Sequence, residues 1–452
     1  MGHKMLGYKM KIAVIGESTA GLLAAYELAR QGAEVEIFGA QNGVAPVSRT
    51  LIVTDKVRRL LGHEDGLELD GLILNQIRRF ELFADGRVGE IWLKRPDYVI
   101  DRARVLAELR GRVKKAGVGV REGLRFKNFL QGNNYGLVET EDVDYGRELN
   151  SKVRLGEREI LKANERNAGG RNKGEKSEAG KIGRQVGQTK SENKLSFVLE
   201  DVGNKQEIVG SADIVVGADG ARSQVARAAG WPELKLLYLI QAVCPLPEDC
   251  GPETTRIWFI PKLTPYFFWL IPESAERGVV GLIGEDKEEA ERALLLFLEK
   301  KKLLPLDFQA GWVPYSRCWL PVRKKLRGGD VYLVGDAAGH VKLTTVGGFV
   351  TGAEGALGVV EAILNGGSSK RLARLRLELA AHQLVRSVVH RFGEKDYSRL
   401  ISFLNGPAKE VLSRISRDEL LALLWHLAWR APRVALFSAL TFLRRRLLGS
   451  PS

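Results

Sequence analysis

Ile12-Ala13-Val14-Ile15 is an unbroken apolar run, and Val35-Glu36-Ile37-Phe38 is a second run, apolar but for Glu36. Between them, from Leu22 to Arg30, apolar residues recur at helical spacing. This pattern predicts a buried strand, a helix and a second strand, a β-α-β unit of about 30 residues with a glycine turn after its first strand. A short β-branched run closed by glycine and aspartate recurs twice more. Asp213–Ser223 reads DIVVGADGARS, a strand running into Asp219-Gly220, and Val331-Tyr332-Leu333-Val334 runs into Gly335-Asp336. After the last of these come Gly339, a loop with paired threonines, Gly347-Gly348 and a small-residue stretch to Gly358 that predicts the start of a helix.

The remaining pattern is simpler. Leu82-Phe83 and Val88–Leu93 predict a hairpin around Asp85-Gly86. Tyr98-Val99-Ile100-Asp101-Arg102 leads into a predicted helix, Ala103 to Ala116, with Leu106 and Leu109 inward. Leu195–Glu200 and Gln206–Val209 predict strands joined at Gly203-Asn204. Residues 141–194 differ in kind: they are dense in Lys, Arg, Glu, Asn and Gly with no sustained period. Such a segment buries too little apolar area to offset its chain entropy, so a disordered or loosely helical insertion is expected. Leu420 to Leu448 holds two apolar runs, each of about ten residues and so short of the roughly 20 that span a bilayer. Trp425, Trp429 and Phe437 with Arg444-Arg445-Arg446 suit a helix pair lying at a membrane interface, or one that caps a neighbouring domain.

With 452 residues the chain should form two or more domains. Its net charge of +14 suits an anionic surface. No RNA-binding signature, zinc-finger spacing or heptad run accompanies that charge, so nucleic acid is not expected. Cys244, Cys250 and Cys318 are too few and too irregular for a disulfide framework or a zinc site, which indicates a reducing interior and no bound metal. No signal-peptide core precedes the first strand, and Met1, Met5 and Met10 all lie before it, so Met10 is an alternative start.

The glycine turns carry the candidate chemistry. Gly16 would make a tight turn, Gly21 would allow close helix packing, and the helix start would receive a pyrophosphate. Two positions depart from G-x-G-x-x-G and its flanks: Ser18 stands at the middle glycine, and Gly39 stands where a ribose-binding carboxylate usually ends the second strand. A β-α-β unit without a nucleotide is the alternative for this segment alone. Asp336, at a strand's carboxyl end before a glycine-rich helix start, can hold a polyol. Arg102 could reach a phosphate or remain solvated.

The three turns, in this order and separation, resemble the flavoprotein monooxygenase and reductase superfamily with the glutathione-reductase-type FAD domain. GDAAGHVKLTTVGG narrows the resemblance to the geranylgeranyl reductases, including the archaeal digeranylgeranylglycerophospholipid reductases, whose segment runs G-D-A-A-G-x-V-K-P-T-T-G-G-G. Leu343 replaces the proline and Val346 the first glycine of the triplet. Phe267-Phe268-Trp269-Leu270-Ile271-Pro272 resembles the family's Y-x-W-x-F-P motif, which lines the substrate cavity. The family's Cys-Gly-Gly segment is absent, with Pro46-Val47-Ser48-Arg49 near its place.

The resemblance implies an α/β fold: a glutathione-reductase-type, Rossmann-like FAD-binding domain with an inserted antiparallel-sheet substrate domain and a C-terminal helical region. The expected division is 10–130, 195–235 and 325–370 for the FAD-binding domain, 70–100 and 236–324 for the substrate sheet, and 371–452 for the helices. It implies FAD contacts at Gly16, Ser18, Gly21, Arg102, Asp219, Gly335, Asp336, Gly347 and Gly348. Phe267, Trp269 and Pro272 would bind substrate, with Val279-Val280-Gly281-Leu282 as further wall. The implied activity is FAD-dependent saturation of carbon–carbon double bonds in geranylgeranyl chains of lipids or prenyl diphosphates, with NAD(P)H or ferredoxin as reductant. A FAD-dependent hydroxylase of a hydrophobic substrate and a flavin-free lipid- or protein-binding homologue are the alternatives. No catalytic side chain is evident; His340 is a weak candidate acid. The expected setting is cytoplasmic, at the inner face of an anionic membrane.

Overall fold

The computed structural model describes residues 9–41, 50–61, 71–130, 194–315, 318–404 and 406–447. The charged insertion expected at 141–194 lies, but for Lys194, outside the described residues, as do Pro46 to Arg49.

A six-stranded sheet organises the cofactor half. β1 (Lys11–Ile15), β2 (Glu34–Phe38), β6 (Gly119–Arg121), β10 (Ile214–Gly217) and β17 (Gly329–Leu333) run parallel, and β16 (Arg323–Leu326) adds an antiparallel edge. The order is β16-β17-β10-β1-β2-β6, which sets β1, β10 and β17 side by side. Because the sheet is covered on both faces, its strands read as continuous apolar runs rather than alternating ones. Ile12 and Val14 point to α1 (Thr19–Arg30), α3 (Arg102–Lys115) and α6 (Phe349–Leu364). Ala13 and Ile15 point the other way, to a three-stranded sheet of β7 (Leu124–Phe129), β8 (Leu195–Asp201) and β9 (Glu207–Ala212). A short α2 (Lys56–Leu61) packs into the first of these cores, and α4 (Gln224–Ala228) into the second.

The second sheet has eight strands, in the order β15-β11-β14-β13-β12-β4-β5-β3. They are β3 (Leu51–Val53), β4 (Ile73–Ala84), β5 (Arg87–Ile100), β11 (Leu236–Pro245), β12 (Thr254–Trp258), β13 (Phe268–Pro272), β14 (Arg277–Gly284) and β15 (Asp307–Pro314). The Asp85-Gly86 hairpin is present and longer than its apolar pattern suggests, because β5 continues through polar residues to Ile100. The sheet departs from the antiparallel expectation at one seam: β12 and β4 pair in parallel, joining two segments far apart in the chain. One face is covered by α5 (Lys287–Lys301), whose Phe297 stacks on Phe268 with centroids 4.3 Å apart.

The C-terminal part is helical: α7 (Lys370–Val389), α8 (Glu394–Ser402), α9 (Gly406–Arg414), α10 (Leu420–Arg430) and α11 (Pro432–Leu447). Among the described residues no helix is long and apolar enough to cross a membrane.

Candidate cofactor slot and substrate cavity

The three turns meet because their strands are neighbours. Gly16 follows β1 with φ +104°, and its N–H donates to the Phe38 carbonyl at 2.8 Å. A Cβ there would lie 2.5 Å from the Ala218 carbonyl oxygen and 2.8 Å from the Asp219 Cα, so the first and second turns touch through backbone. A Cβ at Gly21 would lie 2.7 Å from that of Ala218, which holds the α1 start against β10. Gly335, φ +61°, faces Ala20 of α1 in the same way. All three turns therefore surround one α1 N-terminus, whose first turn carries no acidic residue. Its uncompensated N–H groups suit an anion.

Ser18 fits this arrangement. Its backbone is extended (φ −70°) and its Oγ accepts from the Gly21 N–H at 3.2 Å, so it serves as the helix cap and needs no glycine conformation. Asp336 sits in a 3₁₀ turn, Gly335–Ala338, at the carboxyl end of β17. A Cβ on Gly348 would lie 3.0 Å from its Oδ1. Arg102 opens α3 behind the Asp101 cap; burial pulls its guanidinium pKa down, while the Asp336 carboxylate acts against that. Arg102 and Asp336 thus share one electrostatic environment. Gly348 precedes α6 without a side-chain cap and without an acid in the first turn, a second open helix start. These glycine contacts, the open helix starts and the nearby Arg102 and Asp336 charges fit an extended FAD. Gly16, Ser18 and Gly21 would take its pyrophosphate, Asp336 its ribityl chain, and Gly347-Gly348 the edge of its ring.

Asp219 occupies the slot by its backbone only. Its carboxylate accepts from the Ser223 hydroxyl at 2.5 Å and from the Gln224 and Val225 N–H groups at 2.7 and 3.1 Å, all at the start of α4. Burial pushes its pKa up, and those hydrogen bonds oppose the shift.

Beyond the slot, the loop Lys342–Gly347 forms a wall of a cavity of about 390 Å³. Phe267 and Trp269 line it, with Leu239, Ile257, Ile271 and Ile283 from the sheet and Val385, Val389 and Leu400 from the helices. Pro272 is off the lining; its carbonyl accepts from Asn75 Nδ2 at 3.0 Å. The wall expected at Val279–Leu282 is corrected to Ile283. Val280 and Leu282 lie one residue out of phase with the cavity-side cluster that holds Val279 and Ile283. Gly281 leaves room for the Trp269 ring, since a Cβ there would lie 2.7 Å from its Cζ2. Val346, on the loop, has φ +48°, a left-handed conformation that costs a β-branched residue on the order of 1–2 kcal/mol. The family's glycine at this position would be unstrained.

No local pattern announces the polar groups around the loop. The Lys342 ammonium is buried against Asp418, which also accepts from the Thr54 hydroxyl; Arg417 beside it pairs with buried Asp97. Burial pushes the Asp418 carboxyl up, yet Lys342, Arg417 and these hydrogen bonds together hold it below the usual carboxylate range. His382 Nδ1 lies 2.7 Å from Thr344 Oγ1. Burial, aided by Lys342, lowers its pKa to about 3. Arg386, 2 % exposed, lies over the Tyr266 ring at 4.0 Å and donates to the Pro265 carbonyl, but its Nε has no partner and it makes no ion pair among the described residues. His340, by contrast, is off the cavity: its ring packs where a Cβ of Gly355 would be, and burial lowers its pKa to about 4.

The fold is one shared with FAD-dependent reductases and monooxygenases. The chain resembles a geranylgeranyl bacteriochlorophyll reductase-like protein of Thermoplasma acidophilum (TM-score 0.66, 16% identity, 96% of this chain and 99% of that one). It also resembles a flavin-dependent monooxygenase solved with FAD and substrate (TM-score 0.51, 15% identity, 96% and 72%). By sequence it is similar to digeranylgeranylglycerophospholipid reductase 2 of Methanothermobacter thermautotrophicus, with 30% identity over 227 residues. That match covers 45% of this chain and 57% of the relative, little more than half its length. No family model matches.

The buried imidazoles set an acid limit. The folded pKa of His382 lies below its unfolded value near 6.5, so unfolding takes up a proton between about pH 6.5 and 3 and stability falls as pH drops through that window. His382→Asn should flatten the loss of melting temperature between pH 7 and 5 relative to wild type, by roughly 1 kcal/mol per pH unit at most. Equal slopes in the two thermal melts would contradict this.

Proposed function

We propose that the protein is an FAD-dependent reductase that saturates carbon–carbon double bonds of isoprenoid, geranylgeranyl-type chains in lipids or prenyl diphosphates. The observation that carries this is the shared wall: the loop Lys342–Gly348 borders the cofactor slot on one side and an apolar cavity on the other. Reduced flavin supplies hydride to a double bond held beside it. The chain supplies the rest. Phe267, Trp269, Ile257 and Leu239 would hold a prenyl chain by burial alone, excluding water from the reacting carbons. The ion pair of Lys342 with Asp418 fixes the loop that sets the distance between chain and ring. Arg386 at the cavity wall has an Nε without a hydrogen-bond partner and no ion pair among the described residues, which suits an occupant with an anionic end. The one proton that completes the addition at the other carbon would come from water, since His340 is packed under Gly355 and off the cavity lining.

The test is an anaerobic incubation of FAD-loaded protein with dithionite and either geranylgeranyl diphosphate or a geranylgeranylated glycerolipid. The expected product gains two hydrogens per double bond and forms without oxygen. A product carrying an added oxygen atom, formed only in air, would establish the hydroxylase reading. A colourless protein that FAD cannot reconstitute would establish the flavin-free one. The reductant in the cell, NAD(P)H or ferredoxin, is open to the same assay with dithionite replaced.

Such a substrate resides in a bilayer, and α10 and α11 carry an apolar surface suited to one. Trp425 and Trp429 are 72 % and 82 % exposed, and Leu421, Leu436 and Leu440 lie out in solvent as well. These exposed residues support a peripheral position on an anionic membrane as part of the proposal. The protein should co-sediment with phosphatidylglycerol vesicles, and Trp425→Glu with Trp429→Glu should lower the bound fraction about tenfold or more. Unchanged sedimentation of that variant would place the membrane contact elsewhere.

A further inference from the structure

Dinucleotide folds of this type end β2 in a carboxylate that holds the adenosine ribose. Here β2 ends in Phe38 and is followed by Gly39, which has no side chain to offer. A carboxylate is nevertheless present at that place, delivered from the turn after β1. A Cβ built on Gly39 would fall on Glu17 Oε1 and lie 2.8 Å from its Cδ. Glu17 belongs to the first glycine turn, between Gly16 and Ser18, and its side chain crosses to the end of β2.

The crossing is fixed. Arg110, from the middle of α3, donates through Nε to Glu17 Oε2, and its Nη2 lies 3.2 Å from Glu122 Oε1 beyond β6. The Glu17 hydrogen bond raises the Arg110 pKa, burial opposes it, and the Glu17 and Glu122 charges add to the rise; an arginine guanidinium stays protonated, so the Glu17 carboxylate keeps its charged partner. This clamp uses one carboxylate oxygen. Oε1, on the Gly39 side, has no hydrogen bond to it among the described residues. An ionised carboxylate accepts at both oxygens, so Oε1 keeps the capacity for a vicinal diol.

We propose that Glu17, held by Arg110, replaces the missing β2 carboxylate as the ligand of the adenosine ribose hydroxyls of FAD, and that Gly39 is required because a side chain there would displace it. This rests on the FAD reading of the slot. It makes the departures at Gly39 and Glu17 one compensated exchange rather than the loss of a binding site.

The experiment measures the dissociation constants of FAD and of its 2′-deoxyadenosine analogue for the full chain, by quenching of flavin fluorescence. Wild type should bind FAD about tenfold or more tighter than the deoxy analogue, as expected for loss of a hydrogen bond to a charged group. Glu17→Gln should weaken FAD and leave the two ligands within about twofold of each other. Glu17→Ala with Gly39→Glu should restore the preference by returning the carboxylate to β2, and thermal melts of each variant report folding separately. A wild type indifferent to the 2′-hydroxyl, or a Glu17→Gln variant that keeps the preference, would overturn the proposal while leaving FAD binding intact. A wild type that binds neither ligand would overturn the FAD reading itself, and this proposal with it.

Discussion

The structure depends on close backbone contact between two turns. Gly16, after β1, and Ala218-Asp219, after β10, approach so tightly that no side chain fits between them. β17 pairs with β10 on its far side, so Gly335 and Asp336 emerge in the same row. Parallel pairing sends all three carboxyl ends to one edge of the sheet, where the crevice of an open α/β sheet binds its ligand. The glycines are thus a packing requirement first and a cofactor feature second. Losing Gly16 would separate β1 from β10 before it altered any contact to a ligand.

A second constraint ties the C-terminal helices to this edge. Asp418, in the segment between α9 and α10, reaches the Lys342 ammonium and the Thr54 hydroxyl, while Arg417 reaches Asp97 on β5. Three buried charges, Asp97, Lys342 and Asp418, and the half-buried Arg417 satisfy one another where three parts of the chain meet. Removing one partner would strand another, which is far more costly than the net worth of the pair. The network anchors a loop that holds Val346 in a left-handed conformation, so packing and ion pairing together sustain local strain at the cavity wall. Strain of this kind collects where geometry at a site is imposed rather than preferred.

What the sequence disclosed follows the range of each interaction. The strand-turn-helix units at Gly16, Asp219 and Gly335 were legible because each is written within a few consecutive residues. Their convergence was legible only through resemblance, since strand order is not a local property. The parallel seam of β12 with β4 and the Lys342–Asp418 pair join residues remote in the chain, and no local period reports them. Phe267 and Trp269 fell on the cavity by the two-residue period of a strand. Pro272 ends that strand, with its carbonyl engaged by Asn75. Asp219 shows the converse error: a polar residue in a glycine turn invites a ligand role, yet its carboxylate caps the helix that follows. Glu17 went unread because its spacing from Gly39 carries no pattern; only the fold brings them together.

The central claim is adjacency, one flavin seated against one apolar cavity across the loop Lys342–Gly348. A titration of FAD into the protein, followed by geranylgeraniol with the visible flavin bands recorded throughout, tests it most directly. One FAD should bind per chain, and those bands should shift as the prenyl alcohol fills the cavity. Prenyl alcohol that binds without disturbing the bound flavin, or a chain that takes up no FAD, would contradict it.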